Sequence, residues 1–470
     1  MKVTTGNFPD ASRRALADEQ LQRALKRATV QFVGKRNAAV EAVADLEALR
    51  SFCGAVKAHT LDHLDYYLDM LIDRIEDLGG TVHFAADAAE ANRIVVELCH
   101  AKGVRSAVKS KSMVSEEIEL NEALEQAGVT PFETDLGEYI LQLDRDVPSH
   151  IIGPALHKTR EQITRLFRDK LGTPEGADIP TLTAAARQEL RQRFLNAELG
   201  ITGVNFAVAE TGSIVLVENE GNIRLATSLP RVHLAVMGLE KVIPKLSDLP
   251  PFLNLLPKSA TGQKASSYVS IVTGARRQGE VDGPDEFHLL VVDNGRSSVL
   301  ADEKLRDALR CIRCGACLNA CPVYQQVGGH AYGWVYSGPI GAILDPGLLG
   351  LEKTHHLPQA SSLCGACGEV CPVKIPIPEL LVEHRRRSVT RGHTAPSERA
   401  AMGAFAFLAT RPSTWAGATS LGRSGTRLFS RDGYVSGEWL PGLRAWLQER
   451  DFPEPARKSF RQLWREGIDS

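Results

Sequence analysis

No stretch of this 470-residue chain is apolar for long enough to cross a bilayer. The longest near-continuous run, Ala400 to Ala409, falls well short of the ~20 residues a spanning helix needs. The N-terminal stretch MKVTTGNFPDASRRALADEQ has no apolar core, so no signal peptide is expected. An excess of charge of one sign is also missing. The 55 Lys and Arg residues stand against 57 Asp and Glu, a net charge of −2, which argues against a general nucleic-acid binder. P-loop, H-E-x-x-H, G-x-S-x-G and G-x-G-x-x-G motifs are absent, so a Rossmann-type dinucleotide site has no support in the sequence. No repeat of solenoid length stands out. What remains is ordinary globular composition, 43% hydrophobic and 24% charged, at a length that suits two to four domains with a sizeable core.

Cysteine is scarce too, nine residues in all, but seven of the nine sit in two short segments. The first is Cys311-Ile-Arg-Cys314-Gly-Ala-Cys317-Leu-Asn-Ala-Cys321-Pro322, the C-x2-C-x2-C-x3-C-P run of bacterial [4Fe–4S] proteins. The second is Cys364-Gly-Ala-Cys367-Gly-Glu-Val-Cys371-Pro372. Two intervening residues let a tight loop aim successive sulfurs at one cluster, and the small Gly315 and Ala316 let the backbone wrap closely. Three intervening residues and a proline swing the last sulfur towards a second cluster. Cys311, Cys314, Cys317 and the distal Cys371 are therefore expected to hold cluster 1, and Cys321, Cys364 and Cys367 cluster 2. Zinc favours two spaced pairs of ligands, and disulfides favour small secreted domains. Neither matches two runs that each end in Cys-Pro. Clustered thiolates need a reducing compartment, so a cytoplasmic location is expected. The lone Cys53 and Cys99 read as small core residues.

Aligning the second run on the first puts Ser361 opposite Cys311. Cluster 2 then has three evident cysteine ligands. It is either [3Fe–4S] or a [4Fe–4S] cluster with an open or non-cysteine corner, for which Ser361, His355 and His356 are candidates. The plainer reading of the two histidines is a solvated pair.

In chain order, residues 10–80 carry apolar positions at helical spacing, ended by Gly79-Gly80. TVHFAAD, VRSAVKSKS and VTPFETD then read as strands, alternating with helices over AAEANRIVVELCHAKG and VSEEIELNEALEQAG. That alternation means βαβ units and a parallel sheet. Two further helices follow, near 154–171 and 182–198. VNFAVAE and SIVLVEN read as a hairpin, and VHLAVMG, SYVSIVTG and FHLLVVDN as buried strands. Residues 322–363 separate the cysteine runs too widely for a minimal ferredoxin, which indicates an α-helical ferredoxin module. PIPELLVEHRRRSVTRG is a helix leaving the second run. The expected division is a helical region 1–79, an α/β domain 80–298, a two-cluster domain 299–387 and a tail 388–470. That tail holds Trp415, Trp439, Trp446 and Trp464 with much arginine, either a partner surface or a tail packed on itself.

Outside the cysteines, Lys109-Ser-Lys111-Ser112 follows a strand and precedes a helix, a position where open α/β sheets bind ligands, and its lysines and hydroxyls suit an anion. A solvated loop is the bland alternative. Glu133, Asp135 and Glu210 lie at strand ends, where turn chemistry accounts for them equally well. The stretch Glu218-Asn219-Glu220-Gly221 has a faint likeness to the nucleophile loop of coenzyme A transferases, but reads more simply as a hairpin loop.

Five segments together carry a family resemblance: VKSKSM (108–113), ETDLGEYI (133–140), AETGSIVLVENEGN (209–222), CIRCGACLNACPVY (311–324) and SSLCGACGEVCPVKIPI (361–377). In this order they resemble the LutB-type lactate utilisation iron–sulfur family over essentially the whole chain. SSLCGAC, with serine in the first slot, is similar to the family's own pattern and implies seven cluster cysteines. The resemblance implies an α/β lactate utilisation domain of NagB/RpiA/CoA-transferase type, beside the α-helical ferredoxin-type domain. It also implies two companions, a cysteine-rich-domain protein and a smaller lactate utilisation domain protein, with which the chain oxidises L-lactate to pyruvate. The role implied is a non-catalytic electron-transfer subunit with two iron–sulfur clusters, most simply [4Fe–4S]. Two other readings stand beside it. One is a self-sufficient oxidoreductase, or acyl-thioester-binding enzyme, that uses the α/β domain. The other is an iron–sulfur regulator or scaffold.

Overall fold

The computed structural model describes residues 1–435, 447, 450 and 452–467. The chain forms two compact units, Met1–Arg391 and Gly392–Ser470. The first opens with four helices, α1 (Phe8–Ala17), α2 (Glu19–Glu41), α3 (Leu46–Asp62) and α4 (Leu64–Asp77). Asp18 and Asp45 start α2 and α3 by accepting first-turn N–H groups, those of Gln20 and Leu21 and that of Ala48.

Next come β1 (Thr81–Ala85), α5 (Ala88–Lys102), β2 (Ser106–Lys109), α6 (Met113–Glu117), α7 (Leu120–Gln126) and β3 (Thr130–Glu133). The helices α8 (Leu136–Asp144), α9 (Arg160–Leu171) and α10 (Ile179–Asn196) lead to β4 (Leu199–Gly203). The hairpin β5 (Phe206–Val208) and β6 (Ser213–Glu218) precedes α11 (Asn222–Ser228), β7 (Val232–Gly238), β8 (Val242–Ile243), α12 (Leu249–Thr261), β9 (Tyr268–Val272) and β10 (Glu286–Val292). Six strands form one sheet in the order β1-β10-β7-β4-β2-β3, every pairing parallel. The other four form a mixed sheet, β8-β5-β6-β9. Such a parallel sheet, covered by helices, is the α/β architecture that alternating strands and helices indicate.

Four local expectations change. The helix expected over 114–128 is broken in two, because Glu119 takes a left-handed conformation between α6 and α7. Helix α8 was not foreseen, although Asp135 caps it through the N–H groups of Gly137 and Glu138. β9 is an exposed edge rather than a buried strand, since it pairs on one side with β6 only. The polar stretch after β6 turns into α11 instead of a hairpin loop. The Glu218 carboxylate accepts the N–H groups of Ile223 and Arg224, satisfying donors that a helix start leaves open.

Beyond the sheets lie α13 (Arg296–Ala301), α14 (Ala316–Ala320), α15 (Tyr324–Val327), α16 (Gly338–Leu348), α17 (Leu351–Thr354), α18 (Ala366–Glu369) and α19 (Ile377–Thr390). The segment between the cysteine runs is thus helical, and its aromatics Tyr324, Tyr332, Trp334 and Tyr336 are buried. One continuous apolar core runs from α3, α4, β5 and β6 to Cys314, Cys317, Cys321, Cys367 and Cys371. Cys53 lies in that core and Cys99 in a second one beside β1 and β2, both fully buried as expected.

The second unit contains α20 (Pro396–Ala409), α21 (Pro412–Arg427) and a small antiparallel sheet of β11 (Ser430–Arg431), β12 (Tyr434–Val435) and β13 (Phe452–Pro453). Trp415 packs edge-on against Phe405, and Trp464 is exposed. Trp439 and Trp446 lie outside the described residues. Among the described residues no helix is long and apolar enough to cross a membrane.

Candidate metal centres

The two cysteine runs adopt the same backbone. In the first, Arg313 and Gly315 are left-handed on either side of Cys314 (φ 61° and 72°). In the second, Leu363 and Gly365 do the same around Cys364 (φ 55° and 88°). A side chain in that region costs about 1–2 kcal/mol, so its recurrence one residue before each cysteine reflects a shared loop requirement. The match extends to the first slot. Cys311 Sγ accepts the N–H of Arg313 at 3.4 Å, and Ser361 Oγ accepts the N–H of Leu363 at 3.1 Å. Ser361 thus occupies the loop position of Cys311 in geometry as well as in alignment. His355 and His356 are half-buried rather than solvated, and the His356 ring lies 6.4 Å from that of Phe8.

Cys311, Cys314, Cys317 and Cys371 line one small cavity, so the last cysteine of the second run meets the first three of the first run. Burial, and then repulsion from neighbouring thiols of this set, push the thiols of Cys314 and Cys317 upward. In the second group burial raises the Cys321 and Cys367 thiols, Cys364 adds to the effect on both, and Cys321 adds to that on Cys367. The groups adjoin, since Cys317 also feels Cys367. This donor set fits iron–sulfur clusters. Buried thiolates coexist only around a positively charged centre, and backbone N–H groups point at the sulfurs, as from Ile375 to Cys371 Sγ at 3.4 Å. The chain thus has the donor sets for iron–sulfur clusters, most simply [4Fe–4S].

The N-terminal helices support the first group. Arg50 of α3 donates from Nε and Nη2 to the Cys371 carbonyl at 3.0 and 2.8 Å, and Arg36 of α2 donates to the Val370 carbonyl at 3.1 Å. Gly54 lets α3 approach this loop, since a Cβ there would lie 2.9 Å from the Val373 carbonyl oxygen. From the sheet side comes a buried network of charges. Glu240, just past β7, accepts from Arg296 Nε at 2.8 Å and from Arg313 Nη2 at 3.1 Å. Arg296 also holds Glu117 of α6 at 2.7 and 2.8 Å, and the Tyr336 hydroxyl donates to Glu117 at 2.6 Å. Burial alone would raise the Glu240 carboxyl; Arg296 and Arg313 outweigh it and hold it at about 2. Gly238 makes room for this network, since a Cβ would sit 2.2 Å from Glu240 Oε2. Glu240, Arg296, Glu117 and Arg50 escaped the sequence reading. The available signal was a Glu-Lys pair directly after a strand, the same kind of place as Lys111.

A cavity of about 390 Å³ opens at the C-terminal ends of β2, β3, β4 and β7. It shares Ile151, Ile312 and Arg313 with the cysteine-lined cavity. Lys111, Asp135, Glu218 and Glu220 line it, together with Lys241. Lys109 does not. It is the last residue of β2, fully buried, with its ammonium 2.9 Å from Glu116 and 2.8 Å from Glu133. Both its charge and its donors are spent internally, which removes it from the expected anion site. Lys111 remains on the wall, donating to the Ile152 carbonyl at 3.0 Å. Glu210 accepts the N–H of Leu246 at the end of the mixed sheet.

Three segments of the chain match known families: LUD domain over residues 68–292, 4Fe-4S dicluster domain over 307–375, and lactate utilisation protein B, C-terminal, over 383–467. Lactate utilization protein B of Shouchella clausii is 46% identical over 99% of this chain and 98% of its own length. That of Geobacillus thermodenitrificans is 47% identical over the same shares. The uncharacterized electron transport protein YkgF of Escherichia coli (strain K12) is 43% identical over 99% and 98%. A crystal structure of a duf162 family protein from Deinococcus radiodurans, 15% identical, covers 49% of this chain and 98% of that one at a TM-score of 0.26, too low to bear on the fold. Nearly half the residues are shared with such relatives from end to end, and the chain belongs to the lactate utilization protein B family.

Proposed function

We propose that the chain is the iron–sulfur electron carrier of a system oxidising L-lactate to pyruvate. In this reading Cys311, Cys314, Cys317 and Cys371 hold one cluster, and Cys321, Cys364 and Cys367 hold a second, with Ser361 at its remaining corner. Bound there, [4Fe–4S] clusters supply one-electron transfer. The observation that carries the reading is the crosswise convergence of seven thiols into two adjoining groups, one buried and one reaching the surface at Cys364. The protein's part is to fix the sulfurs, exclude water from the first group and keep the second near a surface where a partner can approach. The division into a helical start, an α/β domain, a two-cluster domain and a tail belongs to this reading. So do the two companion proteins, one with a cysteine-rich domain and one a small lactate utilisation domain protein, which complete the path from lactate to the onward acceptor. Electron paramagnetic resonance of the anaerobic protein, mixed with L-lactate with and without the companions, tests it. Lactate-dependent cluster signals that need the companions are expected. Clusters that never change redox state during lactate oxidation would leave only a regulator or scaffold.

A further inference from the structure

The cavity beside the first cysteine group has properties the electron-carrier role does not use. It sits where the direction of the parallel sheet reverses. From β2 the chain steps outward to β3, whereas from β4 it runs the other way through β7 and β10. Lys111 and Ser112 after β2, and Val204 and Asn205 after β4, flank that point on the cavity wall. Open α/β sheets bind their ligands in this crevice.

Its charges are unequally satisfied. The three carboxylates on the wall are committed to backbone N–H groups: Asp135 to Gly137 and Glu138, Glu218 to Ile223 and Arg224, and Glu220 to Leu136. Two cations are not. Lys241 is 8% exposed, and its ammonium has no hydrogen-bond or ion-pair partner among the described residues. Arg313, also 8% exposed, spends Nη2 on Glu240, but its Nη1 is buried without a partner. A buried ammonium held by no anion is costly and a bound anion lessens that cost, while Arg313, whose charge Glu240 already pairs, offers a free N–H donor beside it. Ile151, Ile152, Val204 and Leu256 give the cavity an apolar wall. The committed carboxylates opposite disfavour a multiply charged guest.

We propose that this cavity binds a small organic carboxylate, its carboxylate group on Lys241 and Arg313 and its apolar body against the isoleucine and valine wall. The guest then lies against the loop that carries Cys311 and Cys314, where Ile312 and Arg313 form the wall between it and those cysteines. Resting on the lactate reading above, the class is a 2-hydroxy or 2-oxo acid.

The experiment uses the full chain, purified anaerobically with its iron. Binding of pyruvate and of L-lactate is measured by calorimetry, with inorganic phosphate as the competing arm. Dithionite-reduced electron paramagnetic resonance spectra are recorded on the same samples. Saturable binding of at least one acid is expected, not displaced by phosphate. Lys241→Met should weaken it about tenfold or more, the size of a lost charge-assisted hydrogen bond, and Lys241→Arg should restore most of it. Ser266→Phe, which obstructs the half-buried wall without changing charge, should weaken it too. Absence of binding while the spectra show clusters overturns the cavity proposal and leaves the carrier reading intact. Absence of the cluster signals counts against the carrier reading instead. Tighter binding of phosphate than of either acid, or a Lys241→Met change confined to the cluster spectrum, also overturns the proposal.

Discussion

The two cysteine groups share a loop backbone and differ in nearly everything around it. The first is enclosed. Arg36 and Arg50 from the N-terminal helices and Arg313 from within the loop surround it, and Glu240 and Arg296 anchor that loop to the sheet. The second has Cys364 exposed, Leu363 exposed beside it, and a hydroxyl where the first has a thiol. A repeated motif has thus been set into two electrostatic environments. Cations near a cluster favour its reduced, more negative state, so the difference in surroundings becomes a difference in potential. In the electron-carrier reading proposed above, the buried group accepts an electron and the exposed one exchanges it with a partner.

Cysteine replacement breaks this comparison most sharply. Cys371→Ala should cost the first cluster although Cys371 lies among second-run cysteines, and Cys321→Ala should cost the second. Each variant should lose about four irons per chain, measured by iron analysis with Mössbauer spectroscopy. Two equivalents of zinc and no iron in the native protein would sink both assignments.

Next in size is the buried network that serves only the first group. Glu240→Ala leaves Arg313 buried without its carboxylate and Arg296 with Glu117 alone, and should destabilise the protein by about 3–5 kcal/mol. The urea midpoint reads this, and the signal of the first cluster should broaden before that of the second.

Acid should also strike the first group, through His150. Burial lowers this imidazole to about 4. Its Nδ1 accepts the N–H groups of Ile152 and Gly153, at 3.0 and 3.2 Å, beside Gly315. The folded state prefers the neutral ring and the unfolded state has the ordinary value near 6.5. The contribution is therefore complete above about pH 6.5 and is lost as pH falls towards 4, at about 1.4 kcal/mol per pH unit. Urea midpoints across that range should fall, and His150→Gln should flatten the slope. An unchanged slope would assign the acid sensitivity elsewhere.

The smallest expected change sharpens the second group alone. Ser361→Cys offers a fourth thiolate and should lower the midpoint of the second cluster by about 60 mV, a tenfold bias towards the oxidised form. The first cluster should not move. If neither moves, the fourth ligand lies elsewhere, with His355 and His356 the first places to look.

Much of this was legible in the chain because it depends on short-range rules. Cysteine spacing and Cys-Pro indicate that Cys371 meets the first three cysteines of the first run, and alternating strands and helices indicate the parallel sheet. Ser361 opposite Cys311 could be read from alignment alone. The hidden parts depend on long-range packing. Lys109 looked free because its partners Glu116 and Glu133 come from α6 and β3 and meet it only in the folded sheet. Arg50 gives no local sign that it reaches a carbonyl 321 residues away. The exposure of β9 follows from its place at a sheet edge, and its Tyr-Val-Ser-Ile-Val pattern reads the same for an edge and a centre.

A redox titration of the anaerobic full chain, followed by electron paramagnetic resonance, tests the inequality of the two groups most directly. Two midpoints are predicted, with the higher one absent from Cys371→Ala and the lower one absent from Cys321→Ala. A single midpoint for both clusters, or a higher midpoint that survives in Cys371→Ala, would contradict it.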